Sequence, residues 1–304
     1  MLLEPSDLQS EIAQLECRLQ EMRAQLDAST FSSPPSSYPD NKIPWTMPSS
    51  TAFYNNKFRA DATRSSSLHA LLLLSDSALP LGSFAYSSGL ESYLAHHKSQ
   101  RANPVTSFHR FLKLSIASLA STSLPYVLAG YRAPETLDTL DNDLDASTPC
   151  IVAQRASCGE RAFRVSFAVP TGTDAGADAA VSAIDGFSDA LKTKFDSQDD
   201  LGPMGHFAPL WGAVCRAMGL DLHQTAYIFV LNHAKAVLSA AVRASVMGPY
   251  QAQNILASQT LQDTIISRIE REWETEVEQA GQVVPALDLW VGRHELLYSR
   301  IFNS

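Results

Sequence analysis

The tightest constraint on the fold is a helical repeat late in the chain. Tyr227, Val230, Leu231, Ala234, Val237, Leu238, Ala241 and Val242 recur at intervals of three and four residues. That spacing places them on one stripe of a helix, because side chains three and four positions apart share a face. Leu112, Leu114, Ile116, Leu119 and Leu124 mark a second buried helix upstream. Strand-like alternation is scarce from Leu68 onward, so the expected fold class is all-α. The small residues around Ala234 to Ala244 allow neighbouring helices to approach closely.

Three regions are expected along the 304 residues. In residues 1–27, Leu8, Ile12, Leu15, Leu19, Met22 and Leu26 form an a/d seam of fewer than three heptads, opened by Ser6 or Asp7. It reads equally as a short coiled coil or as an amphipathic helix that docks on something. Residues 28–67 are rich in Ser and Pro and read as a flexible linker, with Trp45, Phe53, Tyr54 and Phe58 as docking anchors within it. Residues 68–304 form the helical domain. Within it, residues 169–203 are rich in Gly, Ala, Asp and Ser and are expected to be a mobile surface insertion, with Phe187, Leu191 and Phe195 marking one short helix. A lesser insertion is expected over residues 133–149.

Several function classes are disfavoured. A net charge of −9 argues against a phosphate backbone as partner. Met1 to Glu11 lacks a basic region followed by a long apolar run, so no secretory signal is read there. The uncharged stretch Leu114 to Tyr131 is interrupted by Ser, Thr and Pro125, so no membrane span is expected. The four cysteines are scattered, which suits reduced thiols and a cytoplasmic location. No phosphate loop, His-Glu-x-x-His zinc helix or Gly-x-Ser-x-Gly elbow occurs. A hydrolase pairing Ser83 with His206 is the surviving enzymatic alternative, and a helical oligomeric scaffold is the other.

Special residues are densest between Ser75 and Glu91. Ser75 and Asp76 end an apolar run, Pro80 and Gly82 turn the chain, and Phe84, Tyr86, Ser87, Gly89, Leu90 and Glu91 follow. A new helix capped at or near Ser83 is expected there. This stretch resembles the entrance motif of the urease accessory protein F family. Four later blocks, in the same order, are similar to that family. Arg155-Ala156-Ser157 with Arg161-Ala162-Phe163 comes first, at a different spacing. Gly205 to Gly212, including His206, comes next. Ser239 to Arg243 with Gly248-Pro249-Tyr250 and Gln253 follows, and then the tail from Leu297 to Ser304.

The resemblance implies a non-catalytic, all-α and usually dimeric factor of urease maturation. Such a factor bridges the accessory scaffold protein D, also called H, and the nickel-carrying GTPase, protein G, during nickel delivery to apo-urease. Nickel is then handled by the complex and GTP by the partner, with no stably bound cofactor or metal. The residues expected to shape partner surfaces are Ser75, Asp76, Pro80, Gly82, Phe84, Tyr86, Ser87, Gly89, Glu91, Arg155, His206, Arg243, Gln253, Tyr298, Arg300 and Phe302. Arg155 and Arg243 need acceptors for their donor forks, and an internal ion pair with Asp76 or Glu91 is the expected solution. The tail, mixing Leu297, Ile301 and Phe302 with Tyr298 and Arg300, is expected to order on a partner or on its own domain.

Overall fold

Ser123 and Pro125 divide what the hydropathy pattern presents as a single buried helix. Proline lacks the N–H that an interior turn needs but suits a first turn. The chain therefore ends one helix, α3 (Pro104–Thr122), and begins another, α4 (Leu124–Arg132), with Pro125 in its opening turn. The structure is a computed structural model that describes residues 67–76, 83–97, 104–159, 175–197 and 202–303. The a/d seam, the linker's aromatics, Pro80 and Gly82 lie outside the described residues. All described residues belong to one unit, Ala52–Ser304, built of helices and their connections, with no strand among the described residues.

The remaining elements run α1 (67–75), α2 (Leu90–His97), α5 (Leu137–Ser147), α6 (Ile151–Gly159), α7 (Ala175–Ser197), α8 (Phe207–Ala217), α9 (Leu222–Arg243), α10 (Pro249–Leu256), α11 (Gln259–Glu272) and α12 (Pro285–Arg293). The α9 stripe read from sequence is the one buried: Val230, Ala234, Val237, Leu238 and Ala241 all lie in the core. A capping box starts this helix. The Asp221 carboxylate accepts the Gln224 N–H at 2.8 Å, and the Gln224 side chain accepts the Asp221 N–H at 3.2 Å.

The tightest packing joins α4 to α8. A Cβ built on Gly212 would lie 2.1 Å from the Val127 carbonyl, and one on Gly130 would lie 2.3 Å from the Pro209 carbonyl. Only glycine lets these two backbones touch. Trp211 is fully buried beside them, with Phe207 and Phe229 at centroid distances of 5.3 and 6.1 Å. Its indole N–H donates to the Thr225 carbonyl at 3.2 Å. Burying a ring of this size stabilises the core by about 3–5 kcal/mol relative to alanine.

Two sequence expectations are corrected here. Residues 175–197 form a 23-residue helix in place of a short one in a surface insertion. Ala180, Ile184, Phe187 and Leu191 enter the main core against α8. Residues 133–149 are also no surface excursion, since α5 buries Leu137, Leu140 and Leu144. In both segments single apolar residues separated by acids and alanines carry enough burial once α8 supplies the opposing face.

Two stretches, Val105–Arg132 and Leu222–Arg243, are after all long and apolar enough to cross a bilayer by length and composition. Their most apolar windows are 72% and 56% buried inside the fold, as core helices are.

Candidate functional site

Glu91 is where the entrance motif and the end of the chain meet. The motif does not enter a helix at Ser83, as the sequence suggests. Ser83–Ala85 make one 3-10 turn, then Ser88 and Gly89 adopt φ values of 51° and 82°, and α2 starts at Leu90. Ser87 is buried, and its hydroxyl accepts the Glu91 N–H at 3.3 Å, doing the capping work assigned to Ser83. Gly89 lies against α12, where an added Cβ would stand 3.1 Å from a Val291 methyl. The positive φ and this contact together require a residue without a side chain.

The Glu91 carboxylate gathers three donors. His294 Nε2 is 2.9 Å from Oε2, the Ile301 N–H is 2.8 Å from Oε1, and the Phe302 N–H is 3.2 Å from Oε2. His294 is wholly buried, and its Nδ1 has no hydrogen-bond partner among the described residues. The next residue along, Asn303, donates its N–H to the Ala85 carbonyl at 2.8 Å. The tail is thereby ordered on its own domain, one of the two outcomes expected from its composition.

Arg243 departs from its expected pairing. Its guanidinium lies 4.4 Å from the centre of the buried Phe302 ring, and its Nε donates to the Ser239 carbonyl at 3.4 Å, in place of an ion pair with Asp76 or Glu91. The helix end places Arg243 over the tail, so an aromatic face is the acceptor in reach. Arg155 does form an ion pair, at 2.5 Å, but with Glu295. Both partners are largely exposed, so this bridge contributes little to stability.

Beside these residues is a notch of about 500 Å³ between α6 and the tail, lined by Tyr86, Val152, Arg155, Glu295, Arg300 and Asn303 among others. Tyr298 projects fully into solvent, and Phe84, Ile151, Leu296 and Ile301 are exposed. Arg300 is exposed as well. The buried Phe302 also lines the notch.

The other expected residues lie elsewhere. Ser75 and Asp76 close α1 against α9, where Lys235 donates to the Ser75 carbonyl and Asn232 Nδ2 donates to the Leu74 carbonyl at 2.8 Å. Burial draws the Lys235 ammonium below its ordinary pKa, and the neighbouring Asp76 opposes that shift. Gln253 is exposed on α10, an element packed on α9.

His206 is buried at the start of α8. Its Nε2 is 3.0 Å from the Asp145 carboxylate oxygen Oδ1, and its Nδ1 is 3.0 Å from the Ser157 hydroxyl. Ser157 also accepts the Phe207 N–H at 3.3 Å, and Asp141 accepts the N–H groups of Met204, Gly205 and His206 at 2.6, 3.2 and 2.5 Å. The Ser157 bond satisfies one otherwise orphaned donor of the helix start, and Asp141 ties down the backbone that leads into it. The imidazole's partners are thus Ser157 and Asp145, and the alternative Ser83–His206 pairing is not formed. The buried Cys158 thiol packs against the ring, its sulfur 3.8 and 3.9 Å from Nδ1 and Nε2, and no group of three or more His, Cys, Asp or Glu suited to a metal ion occurs among the described residues.

Sequence reasoning missed His294, which appears locally only as the first half of a failed zinc motif. It also missed Asp141 and Asp145, two acids among many in an apparently solvated stretch. Their partners are remote in sequence, so no local spacing identifies them.

Comparison with known proteins gives the chain a family. The family model described as UreF matches residues 103–260. A Schizosaccharomyces pombe protein named as an uncharacterized urease accessory protein UreF-like is 38% identical over 243 residues, spanning 78% of this chain and 97% of its own. Urease accessory protein F of Arabidopsis thaliana is 31% identical, over 76% of this chain and 90% of its own. The Oryza sativa protein of that name is 30% identical, over 75% and 82%. The chain belongs to the UreF family of urease accessory proteins. Its place is therefore in urease maturation.

Proposed function

We propose that this chain is a non-catalytic cytoplasmic adaptor that bridges the accessory scaffold protein D/H and the nickel-carrying GTPase, protein G. In this reading it works as a homodimer, and the assembled complex delivers nickel to apo-urease. GTP hydrolysis belongs to the partner, and nickel is cargo of the complex with no stable site on this chain. The observation that supports the reading best is the anchored tail. Glu91 fixes the backbone at Ile301 and Phe302, which leaves Tyr298, Arg300 and Ile301 outward beside Phe84 and the Arg155–Glu295 pair. Tyr and Arg side chains carried on a backbone held in place beside them suit a protein interface, because less backbone entropy is lost when they dock.

Co-expression with the scaffold and the GTPase, followed by pull-down, tests the adaptor role. The Tyr298→Ala/Arg300→Ala double variant is expected to bind the scaffold at least about tenfold more weakly. Its helical circular dichroism and melting temperature should match the parent protein. Undiminished binding would remove the tail from the interface, and failure of the parent chain to bind either partner would remove the adaptor role itself.

A further inference from the structure

A second apolar feature lies away from the tail, in a groove of about 620 Å³ between α1, α9 and α11. Leu71, Tyr227, Ile228, Ile266, Ile269 and Trp273 form its walls. Ile266 is exposed in its wall, and Leu68 and Leu72 are exposed on α1. The Trp273 ring at one end is held by His223, stacked 4.0 Å away at an interplanar angle of 12°. Glu270 stands on the rim, and Glu274 is exposed just beyond Trp273. The nearest arginine on this helix, Arg271, turns towards Glu272 at 3.7 Å.

We propose that residues 52–66 of the same chain occupy this groove, with Phe53, Tyr54 and Phe58 as the side chains that fill it. Those residues lie outside the described ones, and three observations select them. The first is continuity, since the segment joins α1 at Ser67, one turn before Leu71 in the groove wall. Phe58 precedes Ser67 by nine residues, a reach of about 30 Å, ample for a return onto the groove. The second is charge. The segment holds Lys57, Arg59 and Arg64 against the single acid Asp61 in a chain of net charge −9, and it would meet Glu270 in the groove lining, with Arg132 confined to the Trp273 end, where it donates to the Trp273 carbonyl at 3.0 Å. The third is composition. Phe53 and Tyr54 are adjacent, Asn55, Asn56 and Lys57 part them from Phe58, and only small or polar residues follow to Ser66, a pattern that docks by a few anchors while having too little apolar surface to form a core alone.

Limited trypsin digestion of the full chain tests this, because Lys57, Arg59 and Arg64 are themselves cleavage sites. Docking should make cleavage there slow, and Ile266→Asp in the exposed groove wall should accelerate it about tenfold, in proportion to the undocked population. Phe53→Ala/Phe58→Ala should accelerate cleavage to a similar extent from the other side of the contact. Glu270→Lys should do so by a smaller factor that shrinks as salt is raised. All variants should keep the parent melting temperature to within a few degrees. Rapid cleavage of the parent chain, or rates unaltered by the groove variants, overturns the proposal. Protection that grows with protein concentration, or that arises only on adding another maturation protein, also overturns it by assigning the groove to a second copy or to a partner.

Discussion

Glu91 and His294 are 203 residues apart in the chain, yet the imidazole Nε2 is 2.9 Å from the carboxylate, below the backbone amides of Ile301 and Phe302. One side chain thus joins the entrance motif to α12 and the tail. Glu91→Ala removes the acceptor for all three donors and leaves a buried imidazole unpaired. A loss of about 2–3 kcal/mol is expected, seen as a fall in melting temperature of roughly 5–10 °C. Hydrogen exchange at the Ile301 and Phe302 amides should accelerate more than exchange in α9. Equal acceleration everywhere would show that Glu91 supports the whole domain and not the tail in particular.

The Arg243–Phe302 contact makes a separable contribution. A double-mutant cycle with Arg243→Ala and Phe302→Ala should give a coupling energy of about 0.5–1 kcal/mol. Phe302→Ala alone should cost more than Arg243→Ala, since the ring is buried and the guanidinium is exposed. A coupling indistinguishable from zero would make the 4.4 Å stacking incidental.

Gly212→Ala should be among the most damaging single-methyl changes in the protein. The added carbon would meet the Val127 carbonyl at 2.1 Å and the Tyr131 nitrogen at 2.7 Å, both backbone atoms that cannot swing aside. Separating α4 from α8 is expected to cost about 3 kcal/mol or more, measured by urea unfolding. Gly281→Ala, where an added Cβ has nothing within 4 Å, should stay within about 0.5 kcal/mol of the parent.

His233 sets a pH dependence. It accepts or donates a 2.7 Å bond with Ser115 and borders a cavity of about 240 Å³, and burial pushes its pKa from 6.5 down to about 4. Between those two values the unfolded chain holds the extra proton, so stability is complete above about pH 6.5 and declines as the pH falls towards 4. The decline attributable to this group is at most about 3 kcal/mol. His233→Gln should flatten the stability profile between those pH values, and an unchanged slope would assign it to other groups.

Legibility from sequence followed the range of the interactions. The all-α class and the α9 stripe depend on spacings of three and four residues, which any reader of the chain can count. The full 23-residue length of α7 is not legible in the sequence because its apolar residues are few, and only α8 opposite them makes those few sufficient. That Arg243 needs an acceptor follows from its residue type alone. Which acceptor depended on the end of α9 lying over the tail.

The order of motifs along the chain was enough to point to the UreF family, because sequence patterns survive without knowledge of where each residue lies in space. The same motifs did not reveal that Glu91 holds the tail, that His206 closes a buried start to α8, or that Gly130 and Gly212 bring α4 and α8 into backbone contact. Those relationships exist only after helices remote in sequence have packed. A carboxylate's worth then depends on which donors burial has left it to satisfy, and a glycine's on which backbone lies within the space of one missing methyl.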